Sequence, residues 1–430
     1  MIENIYLEPS NTDYPSLCSR PQLAVEAMDE LMKEIFAAVQ SKGDEAVKTY
    51  SKIFDNSDID ISNATEEVFV NAGQTLSDEL KSAIATAAAN IRLFHKAQST
   101  ADITVETTQG VECSQKTVPI DSVGIYIPGG TAPLLSTVLM LAIPAQVAGC
   151  RRIVLCSPPS SEGGIHPAIL YTAKLCGVTE VYSIGGAQAI AAMSLGTESI
   201  EKVDKVFGPG NQYVSAAKAY AARYGTAMDI PAGPSELLVY ADATADPSYV
   251  AADLLSQAEH GTDSQVVLVS PSAKIVNLVN EAIAKQLPAL PRKDIAGKAL
   301  KESRAIVISD VTAAWQYINT YAPEHLIIAS TAPDQYVDKV TNAGSVFLGN
   351  YSPESIGDYA SGTNHTLPTN GWARSYSGVN MDAFVKKITF QKVSKAGLQQ
   401  LGPSVVTMAL AETLQAHANA VTIRLQNIND

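Results

Sequence analysis

Only five of the 430 residues are cysteine (Cys18, Cys113, Cys150, Cys156 and Cys176), and no two of them form a C-x-x-C pair. An odd, scattered set excludes a disulfide framework and a thiolate zinc site, and it fits free thiols in a reducing compartment. Basic residues are also in short supply, with 30 Lys and Arg against 44 Asp and Glu, a formal net charge of -14. With no Lys/Arg-rich run to offset that charge, a nucleic-acid backbone is excluded as a partner. The opening stretch MIENIYLEPSNTDYPS lacks the basic and apolar regions of a secretory signal. Charge is absent over nearly membrane-spanning length only once, from Thr131 to Gly149. Pro133, Pro144 and the strand-like RRIVLCSPP that follows make this a buried helix rather than a span. The expectations are therefore a cytoplasmic protein that contacts neither membrane nor nucleic acid.

What is present is alternation. Hydrophobic residues make up 46% and charged ones 17%, a globular balance over a length that can bury more than one core. From Val123, strand-like VGIYIPG, RRIVLCS, EVYSIGG and DKVFGPG alternate with helix-like runs, and a second such series begins at SELLVYAD. Repeated βα units predict parallel sheets covered on both faces. The fold class expected is α/β, with two Rossmann-like doubly wound parallel-sheet domains plus an N-terminal arm and a helical C-terminal tail. The boundaries expected are 1–25 for the arm, 26–122 with 238–380 for a discontinuous α/β domain, 123–237 for a Rossmann-like domain, and 381–430 for the tail. Residues 349–380 read as a long Gly/Ser/Asn-rich loop, a length that points to function in a compact protein.

Histidine is scarce enough, at six, for each to be weighed. His95 and His166 have no acidic company and read as structural. Gln257 and His260 close a helix that Asp246 and Pro247 can start, and their i, i+3 spacing puts them on one face. Glu259 lies 100° away on the same helix. Glu324 and His325 sit at a helix-to-strand turn of the kind where α/β enzymes place reacting groups, and such a pair can divide acid–base work. Asp358 and His365 belong to the Gly-rich loop GDYASGTNHTLPTNG. His417 falls on an apolar stripe with Leu410, Leu414, Val421 and Leu425, with Glu412 about 140° round the helix.

Each has a structural alternative: a helix-dipole histidine at 260, ordinary polar loops at 324–325 and 358–365, a core histidine at 417. Pooled, Gln257, His260, Asp358 and His417 form a nitrogen and oxygen set without sulfur that suits zinc, and also manganese or cobalt. No G-x-G-x-x-G occurs, although IPGGTAP, IGGAQAI and FGPGNQY each follow a strand and can present backbone N–H groups to phosphate. Cys113 and Cys150 could act on an aldehyde, but no basic neighbour in sequence activates them, and they read as buried bystanders.

The blocks VGIYIPGGTAPLLSTVLMLAIPA, GGAQAIAA, FGPGN, PAGPSELLV, DLLSQAEHG, APEHL and GDYASGTNHTLPT, in that order, resemble histidinol dehydrogenases from about residue 20 to the C-terminus. The resemblance implies a zinc- and NAD-dependent four-electron oxidation of L-histidinol to L-histidine through bound L-histidinaldehyde, the last step of histidine biosynthesis. It implies one zinc per subunit on Gln257, His260, Asp358 and His417, with Glu324 and His325 as the acid–base pair. Ser235, His365 and Glu412 would join His325 and the metal ligands around the substrate. Tyr126, Gln188 and Asn211 would contact NAD in the 123–237 domain. The 381–430 tail would form a homodimer that supplies His417 and Glu412 in trans. A zinc hydrolase using the same residues without a dinucleotide, and a non-catalytic α/β binding protein, are the readings from other classes.

Overall fold

The computed structural model describes residues 1–20, 25–55, 57–58, 60–129, 133–160, 163–231 and 233–429. Gly130 to Ala132, in the first of the glycine-rich turns, lie outside them. The chain divides into two units: Met1–Gln98 with Asp121–Ala383, and Ser99–Ile120 with Phe384–Asp430.

The first unit is built on two all-parallel sheets. One runs in the order Asn4–Leu7, Arg304–Val307, Gln265–Ser270, Glu236–Ala241, His325–Ala329, Ser345–Leu348. Its central strands are buried at every residue, which is why they read as unbroken apolar runs rather than as alternation. The other runs Glu180–Ser183, Arg152–Ser157, Ser122–Tyr126, Lys205–Phe207, Ala227–Met228. In both, the chain winds outward from a central strand and then reverses, the doubly wound pattern.

The N-terminal arm carries a strand of its own. Asn4–Leu7 pairs with Arg304–Val307 as the edge strand of the six-stranded sheet. The helices within 26–122, grouped in the sequence reading with 238–380, pack on the five-stranded domain instead. Met32, Ile35, Phe36 and Val39 share one core with Ile190, Val214, Ala217 and Tyr220. Helices Glu66–Thr75 and Asp78–Ala97 lie on Pro167–Leu175 and Leu135–Ala148. Sequence order suggested the wrong neighbour because these amphipathic faces carry no mark of which sheet they cover.

Helix Leu135–Ala148 is the uncharged stretch, buried from Ser136 to Ala145 and stopped by Gly149 at φ +89°. Pro144 has no N–H to give the carbonyl of Met140 one turn back. Asn364 Nδ2 takes that carbonyl instead, at 2.6 Å. A proline inside a buried helix thus becomes an anchor for the segment that carries His365.

In the second unit Val385–Val393, Val111–Pro119 and Ile103–Thr108 form an antiparallel sheet. Helices Lys395–Ala411 and Gln415–Asn429 follow. The tail read as largely helical thus carries a strand ahead of its two helices. The apolar stripe through His417 is also interrupted: Thr413, at φ +62°, turns the chain between the two helices, so Leu410 and His417 stand on different ones.

Candidate active site

A cavity of about 430 Å³ in the first unit is lined by Pro128, Gly129, Gly208–Asn211, Ser235, Glu259, His260, Glu324 and His365, among others. The five-stranded sheet contributes the turns after its strands, at the switch point where a doubly wound sheet opens a crevice. The six-stranded sheet contributes residues from before its strands: Ser235 precedes Glu236–Ala241, and Glu324 precedes His325–Ala329. Its side of the cleft is therefore the amino end, the reverse of the usual rule.

Asp246 Oδ1 accepts from Ser248 N at 2.8 Å and starts helix Pro247–Ala258 as expected. Gln257 is wholly buried in its last turn, with Nε2 3.4 Å from His260 Nδ1. The helix ends at Ala258, so Glu259 and His260 lie in the turn beyond, and helical spacing does not separate them. Glu259 lines the same cavity. Arg292 Nη2 donates to the His260 carbonyl at 3.3 Å and fixes this turn.

Ala322, left-handed at φ +53°, turns the chain out of helix Val311–Tyr321 and delivers Glu324 and His325 to the sheet. Glu324 Oε2 accepts from Glu236 N at 2.9 Å, which ties it to the adjacent strand. His325 Nδ1 lies 3.6 Å from Glu324 Oε2 and 3.5 Å from Glu354 Oε1, and its Nε2 lies 3.5 Å from Asp358 Oδ1. His365 is held at both ring nitrogens, Nδ1 by the Asp358 carbonyl at 2.8 Å and Nε2 by Thr137 Oγ1 at 3.1 Å.

The charges follow from this crowding. Burial pushes the Glu324 carboxyl up to about 8, against the pull of His325 and the Glu236 N–H. For His325 burial works against the proton, but the carboxylates of Glu354, Glu324 and Asp358 outweigh it and lift the imidazole well above its ordinary value. Burial also raises Glu354 well above the carboxylate range. Asp358, though buried, is held low by its hydrogen bond to His325 and by the surrounding imidazoles. His260 and His365 are lowered by burial, with Asp358 opposing in both, and so favour the neutral form that ligates metals.

Of the four expected metal ligands, Gln257, His260 and Asp358 belong to the first unit. His417 and Glu412 are exposed residues of the second. A different donor set also gathers among the described residues, His325, Glu354 and Asp358, with ligand atoms within 4.8 Å of one another. Glu354 was not singled out from sequence. It escaped because the segment read as loop contains a helix, Glu354–Tyr359, whose i, i+4 spacing puts Glu354 and Asp358 on one face.

A neighbouring cavity of about 660 Å³ is lined by Tyr126, Gln188 and Asn211 together. Each also has a structural bond: Tyr126 OH accepts from Gly186 N at 3.0 Å, Gln188 Nε2 donates to Asp55 Oδ2 at 2.9 Å, and Asn211 Oδ1 caps the next helix through Val214 N at 3.1 Å. Gly208, at φ +135°, passes so close to the strand end that a Cβ would stand 2.2 Å from the Tyr126 carbonyl oxygen. A buried pair that the sequence did not reveal clamps this turn: Lys218 Nζ donates to Gly208 O and Asp229 Oδ1, and Asp229 Oδ2 accepts from Gly208 N.

The structural readings of the two remaining histidines fit their contacts. His95 is fully buried with Nδ1 on the Ile91 carbonyl, and His166 Nδ1 accepts from Ala168 N at the start of its helix. Burial pushes the Cys150 thiol up to about 11, which leaves little thiolate near neutrality. Cys150→Ser should therefore keep turnover within about twofold of the parent. A loss of a hundredfold or more in a steady-state assay would reinstate a thiol mechanism.

A family model described as histidinol dehydrogenase matches residues 18–425. The chain belongs to the histidinol dehydrogenase family. It is 52% identical over 420 residues to a histidinol dehydrogenase from Bacteroides thetaiotaomicron, covering 98% of each chain. It is 50% identical over 418 residues to one from Salmonella typhimurium, covering 96% of this chain and 95% of that one. The crystal structure of histidinol dehydrogenase from Elizabethkingia anophelis superposes with a TM-score of 0.96 at 52% identity, covering 99% of both chains. Family membership makes the protein an NAD-dependent oxidoreductase of histidine biosynthesis. No helix among the described residues is long and apolar enough to cross a membrane.

Proposed function

We propose that this chain catalyses the last step of histidine biosynthesis, oxidising L-histidinol to L-histidine through bound L-histidinaldehyde with two NAD⁺ in succession and one zinc ion per subunit. The observation that carries the reading is Gln257 Oε1, a buried oxygen with no hydrogen-bond partner, beside the neutral imidazole of His260 and near the anionic Asp358. An orphaned buried acceptor costs stability unless something takes it. A zinc ion held by Gln257, His260 and Asp358, with His417 of the partner subunit as fourth ligand, would do so. The family resemblance supports this set over His325, Glu354 and Asp358, and an ion pair between imidazolium and carboxylates accounts for that second cluster without a metal.

Zinc would supply a Lewis acid that grips the substrate's nitrogens, and NAD⁺ the hydride acceptor. Ser235, His365 and Glu412 of the partner subunit orient the amino alcohol beside these ligands. His325 takes the hydroxyl proton as hydride leaves the alcohol carbon, giving the aldehyde. With Asp358 engaged as a ligand, the imidazole loses one of the three carboxylates that hold its proton and can act as a base. Glu324 then removes a proton from water as its oxygen adds to the aldehyde carbon, the singly deprotonated hydrate gives up the second hydride, and the acid so formed releases its remaining proton to solvent as the carboxylate. Tyr126, Gln188 and Asn211 contact the dinucleotide, and the 381–430 tail forms the homodimer. The reaction is cytoplasmic on this account.

Protein, zinc, L-histidinol and NAD⁺ together should form NADH, read by absorbance. No signal would favour a metal-dependent hydrolase on the same residues. His260→Ala should lower zinc content and activity in step, because one of four ligands is lost. Full activity after exhaustive chelation would contradict the zinc site.

A further inference from the structure

Among the carboxylates that the acid–base chemistry leaves unused, Asp55 stands in the neighbouring cavity. Asp55 ends helix Asp44–Phe54 and lines the larger cavity with Tyr126, Pro158, Gly186, Gln188 and Asn211. Its Oδ2 is fixed by Gln188 Nε2 at 2.9 Å, and Gln188 is itself fully buried. Its Oδ1 has no hydrogen-bond partner among the described residues. The carboxylate lies over the strand ends: a Cβ on Gly185 would meet Asp55 Oδ2 at 3.0 Å, Oδ1 at 3.1 Å and Pro158 Cβ at 2.6 Å.

Dinucleotide folds commonly place an acid some twenty residues beyond the first glycine turn, where it takes the hydroxyls of the adenosine ribose. Here the second strand, Arg152–Ser157, runs into Pro158 and Pro159, and among the described residues its end brings no acid to the cavity; Glu162, further along the chain, lies outside them. Asp55 reaches the same point from a helix outside the sheet. Asp55 is the cavity's one charged residue among the described lining, with no Lys or Arg to receive a phosphate. Burial raises its pKa, with the Gln188 hydrogen bond opposing, so the anion gains from a further donor.

We propose that Asp55 accepts a hydrogen bond from the adenosine 2′-hydroxyl of NAD⁺, through Oδ1, and thereby selects NAD⁺ over its 2′-phosphorylated form. Gln188 is then a positioning residue for that carboxylate. A site built to accept from a hydroxyl discriminates against a ligand that lacks it, and more so against one that brings negative charge. The proposal rests on the assignment of this cavity to NAD, and the test separates the two.

Calorimetric titration of the zinc-loaded enzyme with NAD⁺, NADP⁺ and 2′-deoxy-NAD⁺ (lacking the adenosine 2′-hydroxyl) reads binding without turnover. The parent should bind NAD⁺ roughly ten- to a hundredfold more tightly than either alternative, the range of one charge-assisted hydrogen bond. In Asp55→Asn the preference for NAD⁺ over NADP⁺ should fall at least tenfold, and KM for NAD⁺ should rise with kcat within a few-fold. Equal affinity of the parent for NAD⁺ and the deoxy analogue, or preferences in Asp55→Asn unchanged from the parent, overturns the role of Asp55 alone. Tight NAD⁺ binding that survives a Tyr126→Ala, Asn211→Ala double substitution unchanged overturns the cavity assignment and the proposal with it. Should Asp55→Asn fail to fold, the analogue comparison on the parent still decides.

Discussion

Glu324→Gln should slow the oxidation of supplied L-histidinaldehyde by about 100- to 10,000-fold, the range that a positioned general base contributes. The amide is isosteric, and its oxygen can still accept from Glu236 N, where the parent carboxylate makes its 2.9 Å bond. What is lost is the capacity to take a proton from water. Burial holds the Glu324 carboxyl up to about 8, so the ionised, competent form grows as pH rises through that value. The parent's aldehyde-step rate should therefore climb with pH and level off above about 8, and Glu324→Gln should lack that limb. His325→Ala should damage alcohol oxidation at least as severely, since it removes the group proposed to take the hydroxyl proton. Mild, equal effects of both substitutions on both half-reactions would contradict the assigned roles.

A mixture of two inactive chains should regain activity. His260→Ala and His417→Ala each remove one proposed zinc ligand, and each homodimer alone should be dead. If each site draws His417 from the other chain, a mixed dimer concentrates both lesions in one site and leaves the other whole. Random pairing makes about half the dimers mixed, so roughly a quarter of all sites should recover after the chains are unfolded and refolded together. If His417 served its own chain, every site would keep one lesion. Differently tagged chains show whether mixed dimers formed, and no recovery in their presence would return His417 to its own subunit. The exposed positions of His417 and Glu412 in the second unit are what a residue donated across an interface requires.

The parts of the site that were legible in sequence are those fixed by local spacing. Gln257 closes a helix whose start was marked by Asp246 and Pro247, His260 lies in the turn just beyond it, and the two side chains meet at 3.4 Å. Glu324 and His325 were visible because a helix-to-strand turn is short and adjacent to an apolar run. Glu354 was hidden because six residues of helix inside a Gly- and Ser-rich stretch are too few to show a period. Asp55 and the Lys218–Asp229 pair were hidden for another reason: their meaning comes from packing partners remote in sequence. The same limit misplaced residues 26–97, whose apolar faces were evident but whose sheet was not. Neither could spacing reveal that the six-stranded sheet offers its amino ends to the cleft, against the usual rule for parallel sheets.

The central claim is a four-electron oxidation completed on one protein, and the number of NADH formed per substrate tests it most directly. With zinc and excess NAD⁺, a limiting amount of L-histidinol should give two NADH for each molecule consumed, with L-histidine as the product and no free aldehyde captured by a carbonyl reagent. One NADH per L-histidinol, with the aldehyde accumulating in solution, would contradict it.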